Sequence, residues 1–82
     1  MQEKTITPDQ CRMARAALRW SVDDLAQAAG VGRATVIRFE NDTGGKPATV
    51  ARLREALEKA RVQFIDEGRF AGGVYGGLRP AP

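Results

Sequence analysis

Residues 21–40 read SVDDLAQAAGVGRATVIRFE, two helical segments with so little chain between them that their packing is nearly dictated. Ser21, followed three residues on by Asp24, is a capping-box pattern: the Ser hydroxyl accepts from the third amide of the helix, and the Asp side chain reaches back. The helix opened there runs through Leu25 and Ala26 to Ala29. Gly30 ends it, because the left-handed position just past a helix suits a residue without a β-carbon, and Val31 can then pack back on Leu25 or Ala26. A further helix starts at once, near Gly32, and runs to about Asn41. Two helices joined by three or four residues containing Gly must cross steeply. That crossing requires a small side chain, supplied by Ala26, and apolar anchors, supplied by Leu25, Val31, Val36 and Phe39. The arrangement is a helix-turn-helix over 21–41.

The flanking chain supplies two more helices and a different kind of tail. Thr7-Pro8-Asp9-Gln10 is a second capping box with Pro in the first turn, where its missing amide is harmless. Cys11, Ala14 and Leu18 follow at helical spacing. Asp42-Thr43-Gly44-Gly45 is a loop, Lys46 stands at the mouth of the next helix, and Pro47 opens it with Val50, Leu53 and Leu57 on one face. After Ala60 the pattern changes. Val62–Ile65 is β-leaning, Asp66–Arg69 reads as a turn, and Val74, Tyr75 and Leu78 are interrupted by glycines at 72, 73, 76 and 77. A lone two-stranded hairpin is barely stable in water, so such a tail packs on the helices, pairs with another subunit or stays loose. The expectation is a mainly α, compact four-helix domain over 1–61 with a short β-strand or hairpin in 62–82.

Composition narrows the function by exclusion. Eighty-two residues make one small domain. With no histidine and one cysteine, a Cys/His zinc site, an internal disulfide and any His-dependent nucleophilic triad are excluded. Nothing resembles a general acid/base pair in a pocket, so neither an enzyme nor a cofactor nor a small-molecule ligand is expected. No apolar run approaches the roughly 20 residues of a membrane span, and Met1-Gln2-Glu3-Lys4 lacks the order of a secretory signal. A cytoplasmic protein with no membrane partner is expected. Thirteen basic residues against ten acidic ones give a net charge of +3, a mild pointer to an anionic partner. The charges are spread along the chain, so the motif carries the argument.

The segment resembles the helix-turn-helix of the lambda-repressor/Cro-like (XRE) transcriptional regulators, whose pattern runs roughly Q-x-x-L-A-x-x-x-G-[VI]-S-x-x-x-[IV]-x-x-[FW]-E. Leu25, Ala26, Gly30, Val31, Val36, Phe39 and Glu40 match it, and with the first and fourth helices the resemblance covers about residues 7–60. It implies a lambda-repressor-like DNA-binding domain: a sequence-specific regulator that reads double-stranded DNA through the major groove, of phage or mobile-element type, acting in the bacterial nucleoid or phage-encoded. It also implies that Arg15 and Glu40 meet as a partly buried ion pair between the first and third helices. Two positions depart from the pattern. Val22 stands in place of the usual Gln and Gly32 in place of the usual Ser, both commonly phosphate contacts in that family; its common fifth helix is also replaced by the β-leaning tail.

Helical geometry selects the DNA-facing residues independently. Winding residues 32–41 at about 100° each puts Gly32, Val36, Phe39 and Glu40 on one side and centres Ala34, Arg38 and Asn41 on the other. Arg33 lies at the helix start. Recognition helices present their N-terminal residues to base edges. Arg33 and Arg38 are therefore candidates for guanine, and Ala34 and Thr35 for thymine methyls; Ile37 flanks this face without an assigned role. Ser21 at a helix N-terminus is a candidate phosphate contact, with Arg19 added to it; Lys46 and Asn41 resemble the family's second phosphate clamp, and Asn41 is equally readable as a helix C-cap. Cys11 reads as a small core residue and Trp20 as a staple onto the core.

One recognition helix reads few base pairs, so a homodimer on two half-sites about one helical turn apart is expected. Phe64, Ile65, Val74 and Tyr75 are the candidate dimer contacts; the competing reading has the tail cover its own core. Two other functions stay open. One is the antitoxin of a toxin–antitoxin pair, with the tail binding the partner protein. The other is a protein-interaction module that has lost DNA binding, motivated by Val22 and Gly32.

Overall fold

A computed structural model describes residues 5–41, 45–65 and 73–76 of the chain. They form α1 (Pro8–Leu18), α2 (Val22–Ala29), α3 (Arg33–Glu40), α4 (Pro47–Lys59), β1 (Val62–Phe64) and β2 (Val74–Gly76). The expected turn at Asp66–Arg69, most of the loop at Asp42–Gly45, and Leu78 lie outside the described residues.

Local sequence chemistry sets the helix ends. Thr7 Oγ1 accepts from the Gln10 amide at 3.0 Å and Gln10 Oε1 accepts from the Thr7 amide at 2.9 Å. Ser21 and Asp24 repeat the exchange at 3.0 and 2.9 Å. Each box satisfies two amides that a helix start would leave unpaired. At the end of α2, Gly30 adopts φ 70°; the Val31 amide donates to Ala26 O at 3.0 Å and the Gly30 amide to Gln27 O at 3.3 Å. This is a Schellman ending. The end of α1 has the same bonding, Trp20 to Arg15 O and Arg19 to Ala16 O, but here Arg19 takes the left-handed position at φ 58°. Sequence reading gave Arg19 no such role. Helix α3 begins at Arg33, with Gly32 as an extended cap (φ −77°, ψ 153°) rather than as its first residue.

Helix α2 packs on α3 and α4, and α1 packs on α3, α4 and β2. Their shared interior holds Cys11, Ala14, Leu25, Val36, Leu53 and Leu57, each without solvent exposure. Burying a side chain of the Leu or Val type contributes about 1.5–3 kcal/mol, which counts for much in a domain small enough to bury only part of its surface. Leu18, Trp20, Val22, Ala29 and Val31 pack against that core from its rim.

The tail folds back onto its own helices. Strands β1 and β2 pair antiparallel, Val62 with Gly76, Gln63 with Tyr75 and Phe64 with Val74. Val62 and Phe64 point into the core and Gln63 outward. Arg54 fastens this corner from inside. Its buried guanidinium pairs with Glu58 at 3.1 Å, donates to the Thr5 carbonyl at 2.7 Å, and lies 5.0 Å from the Phe64 ring centroid. One side chain thus ties α4, the segment before α1 and β1 together. Among the described residues no helix is long and apolar enough to cross a membrane.

Candidate functional site

Helix α3 is divided sharply between an inner and an outer side. Val36, Phe39 and Glu40 are buried; Arg33, Ala34, Arg38 and Asn41 are exposed; Thr35 and Ile37 lie half-buried between them. Gly32, placed by winding on the inner side, is exposed, because it precedes the helix and its extended backbone carries it outward.

The inner side is fixed by a charged network under the helix. Arg15 grips Glu40 with two parallel bonds, Nε to Oε2 and Nη2 to Oε1, both 2.7 Å, and its Nη1 donates to the Trp20 carbonyl at 3.1 Å. Cys11 Sγ donates to Glu40 Oε2 at 3.1 Å. Arg12, which sequence reading passed over, donates to the Glu40 carbonyl and pairs with Asp9. A bidentate Arg–carboxylate pair has one preferred geometry, so this contact sets how α3 sits on α1. Burial works against the Glu40 carboxylate, but the bonds from Arg15 and Cys11 and the charges of Arg15 and Arg12 outweigh it and lower its pKa. Burial first, then the Glu40 bond and charge, push the Cys11 thiol up. A fully buried thiol held in that form packs as a small apolar residue rather than reacting.

On the outer side, Arg33 Nε stands 3.0 Å from Asp23 Oδ1 of α2. Sequence reading missed Asp23; ten residues separate it from Arg33, and only the turn at Gly30–Gly32 brings them together. At the start of α2 the Ser21 hydroxyl oxygen accepts from the Asp24 amide and the Asp24 carboxylate occupies the Ser21 amide. A phosphate approaching there finds Val22 and Asp23 amides together with two carboxylates. Asn41 is the C-cap of α3, its amide donating to Ile37 O at 3.0 Å. Lys46 is the exposed N-cap of α4, and Arg19 is exposed at the end of α1.

The candidate dimer residues have divided placements. Phe64 is buried and Val74 half-buried against the chain's own helices. Ile65 is half-buried and its amide donates to Gly73 O at 3.0 Å. Tyr75 is paired through its backbone with Gln63; its side chain lies outside the described residues. Within one chain, then, β1 and β2 pack on its own helices. No group of three or more His, Cys, Asp or Glu side chains placed to hold a metal occurs among the described residues.

Compared with known proteins, the sequence matches no family model and no curated protein. The functional reading therefore rests on the geometry of α2 and α3.

Proposed function

We propose that the chain is a sequence-specific, double-stranded-DNA-binding transcriptional regulator of the lambda-repressor/Cro-like (XRE) type, acting as a dimeric repressor of phage or mobile-element kind. The observation that carries this reading is the outer side of α3. A helix joined to its predecessor through Gly30–Gly32 is anchored from below by Val36, Phe39 and the Arg15–Glu40 pair, and presents Arg33, Ala34 and Arg38 to solvent. Such a helix fits the major groove, which is about 12 Å wide, and arginines near its N-terminus match guanine O6 and N7. Thr35 and Ala34 are short enough to let it sit deep. Lys46, Arg19, Asn41 and the α2 amides beside Ser21 are the proposed backbone clamps, and the partner DNA carries two half-sites.

Selection from a random duplex library at moderate salt tests the proposal. A two-fold-symmetric enriched motif is the expected result, and its spacing gives the separation of the two recognition helices. No enrichment, with binding that vanishes as salt rises, would contradict sequence-specific regulation. A second reading draws on Asp23 and Asp24 at the start of α2 and on Gly32, which offers no side-chain cap. Those features weaken phosphate binding and suit a protein-interaction module or an antitoxin whose partner engages residues 62–82. DNA affinity that is undetectable even at low salt favours that second reading.

A further inference from the structure

The pair formed by Arg33 and Asp23 is unusual in its setting: it lies at the tip of the proposed reading surface and is 65% and 71% exposed. An ion pair this open contributes little to stability. Asp23 is not required as a cap either, since Ser21 and Asp24 complete the capping box without it. Besides its favourable place in the first turn of α2, the partner it meets is Arg33. The closest approach of the ion pair is made by Nε, the nitrogen nearest the aliphatic stem.

That placement has a chemical consequence. Guanine is read by two parallel N–H donors directed at O6 and N7. A long arginine stem must be ordered before it can deliver them, and that ordering costs conformational entropy. A carboxylate beside Nε favours the stem arrangements that keep the two charges close, a modest bias at this exposure, and directs its closest contact away from the outer fork that a base would need. We propose that Asp23 is a positioning residue for DNA recognition, holding Arg33 so that its Nη groups meet a guanine facing the N-terminal end of α3. The inference rests on the DNA-binding reading above. It has a second part: an Arg33 held by Asp23 is withdrawn from the phosphates of other sequences, and the Asp23 charge opposes them, so the pair exchanges non-specific affinity for selectivity.

Asp23→Asn keeps the shape and removes the charge. Binding of the wild type, Asp23→Asn, Arg33→Ala and the double variant is measured against three duplexes over a range of salt: the selected site, the same site with the guanine identified by Arg33→Ala replaced, and a random sequence. Circular dichroism and urea midpoints check that each variant is folded. Asp23→Asn should lower the preference for that guanine about two- to fivefold and steepen the salt dependence on random duplex by about one unit of slope. In the Arg33→Ala background it should leave base preference unchanged. An equal gain on every duplex with the guanine preference intact would show that Asp23 only repels phosphates, and would overturn the positioning role. Wild-type protein that binds no duplex even at low salt would overturn the DNA reading, and this inference with it.

Discussion

Two arginine–carboxylate pairs hold opposite sides of α3, and they differ in almost everything except chemistry. Beneath the helix, Arg15 and Glu40 meet through two 2.7 Å bonds with side chains 19% and 7% exposed. On the outside, Arg33 and Asp23 meet through one 3.0 Å approach, both mostly in water. The inner pair has been taken out of solvent, so losing one partner strands a charge. The outer pair has kept its hydration and can exchange partners at little cost. The difference separates what fixes the helix from what the helix is free to do: the inner pair belongs to the fold, and the outer one lies on the proposed reading surface.

The largest expected effect breaks the inner pair. Glu40→Gln leaves Arg15 without its counter-charge and should cost about 3 kcal/mol in urea unfolding at neutral pH. The pH dependence follows from the lowered Glu40 pKa. A carboxyl whose folded pKa lies below its unfolded value adds stability above the unfolded value, about 4.3 for Glu, and loses it as pH falls through the folded one. The gap between wild type and Glu40→Gln should therefore narrow in acid; a constant gap would assign the loss to packing rather than charge.

Next in size is a change on the outer side, read on DNA binding with the urea midpoint measured alongside. Arg38→Ala should lose about 1–3 kcal/mol on the selected duplex, with relaxed preference at one base position. Equal weakening on all sequences would make Arg38 a phosphate contact instead. Smaller still, Arg19→Gly should separate the two properties within one residue. Relief of the left-handed backbone at φ 58° should raise stability by about 0.5 kcal/mol. Loss of the charge should lower the salt slope of DNA binding by about one, as Lys46→Ala should also do. A destabilised Arg19→Gly would mean that the arginine side chain, not the backbone, secures that corner. The smallest effect expected is on the outer pair itself: Asp23→Asn should change stability by less than about 0.5 kcal/mol.

How far the sequence anticipated this molecule depends on the range of the interactions involved. Features governed by neighbouring residues were readable: both capping boxes, the stop at Gly30 and the buried row Val36, Phe39 and Glu40 follow from spacing alone. The meeting of Arg15 with Glu40 was expected only through the family resemblance, because no local rule joins residues 25 apart. The ending at Arg19 was hidden, since its bonds are backbone bonds and carry no side-chain signature; the same ending at Gly30 was visible because glycine advertises the left-handed position. Arg54 gave a signal that a polar residue tends to mask. It sits in the row Val50, Leu53, Arg54 and Leu57, at the i, i+3, i+4, i+7 positions of an inward stripe. Its burial becomes intelligible once the Thr5 carbonyl, Glu58 and the Phe64 ring are seen around it. The choice between a tail that pairs with another subunit and one that covers its own core was undecidable from composition. Within the chain, Val62 and Phe64 are buried against its own helices.

The central claim is that the outer side of α3 is the surface that reads DNA. Backbone amide chemical shifts followed during titration with the selected duplex test it most directly. The account expects the largest changes at Arg33–Arg38, smaller ones at Ser21–Asp23 and Lys46, and little at Val62–Phe64. Changes centred on β1 and β2 with α3 undisturbed, or none at all at low salt, would contradict it.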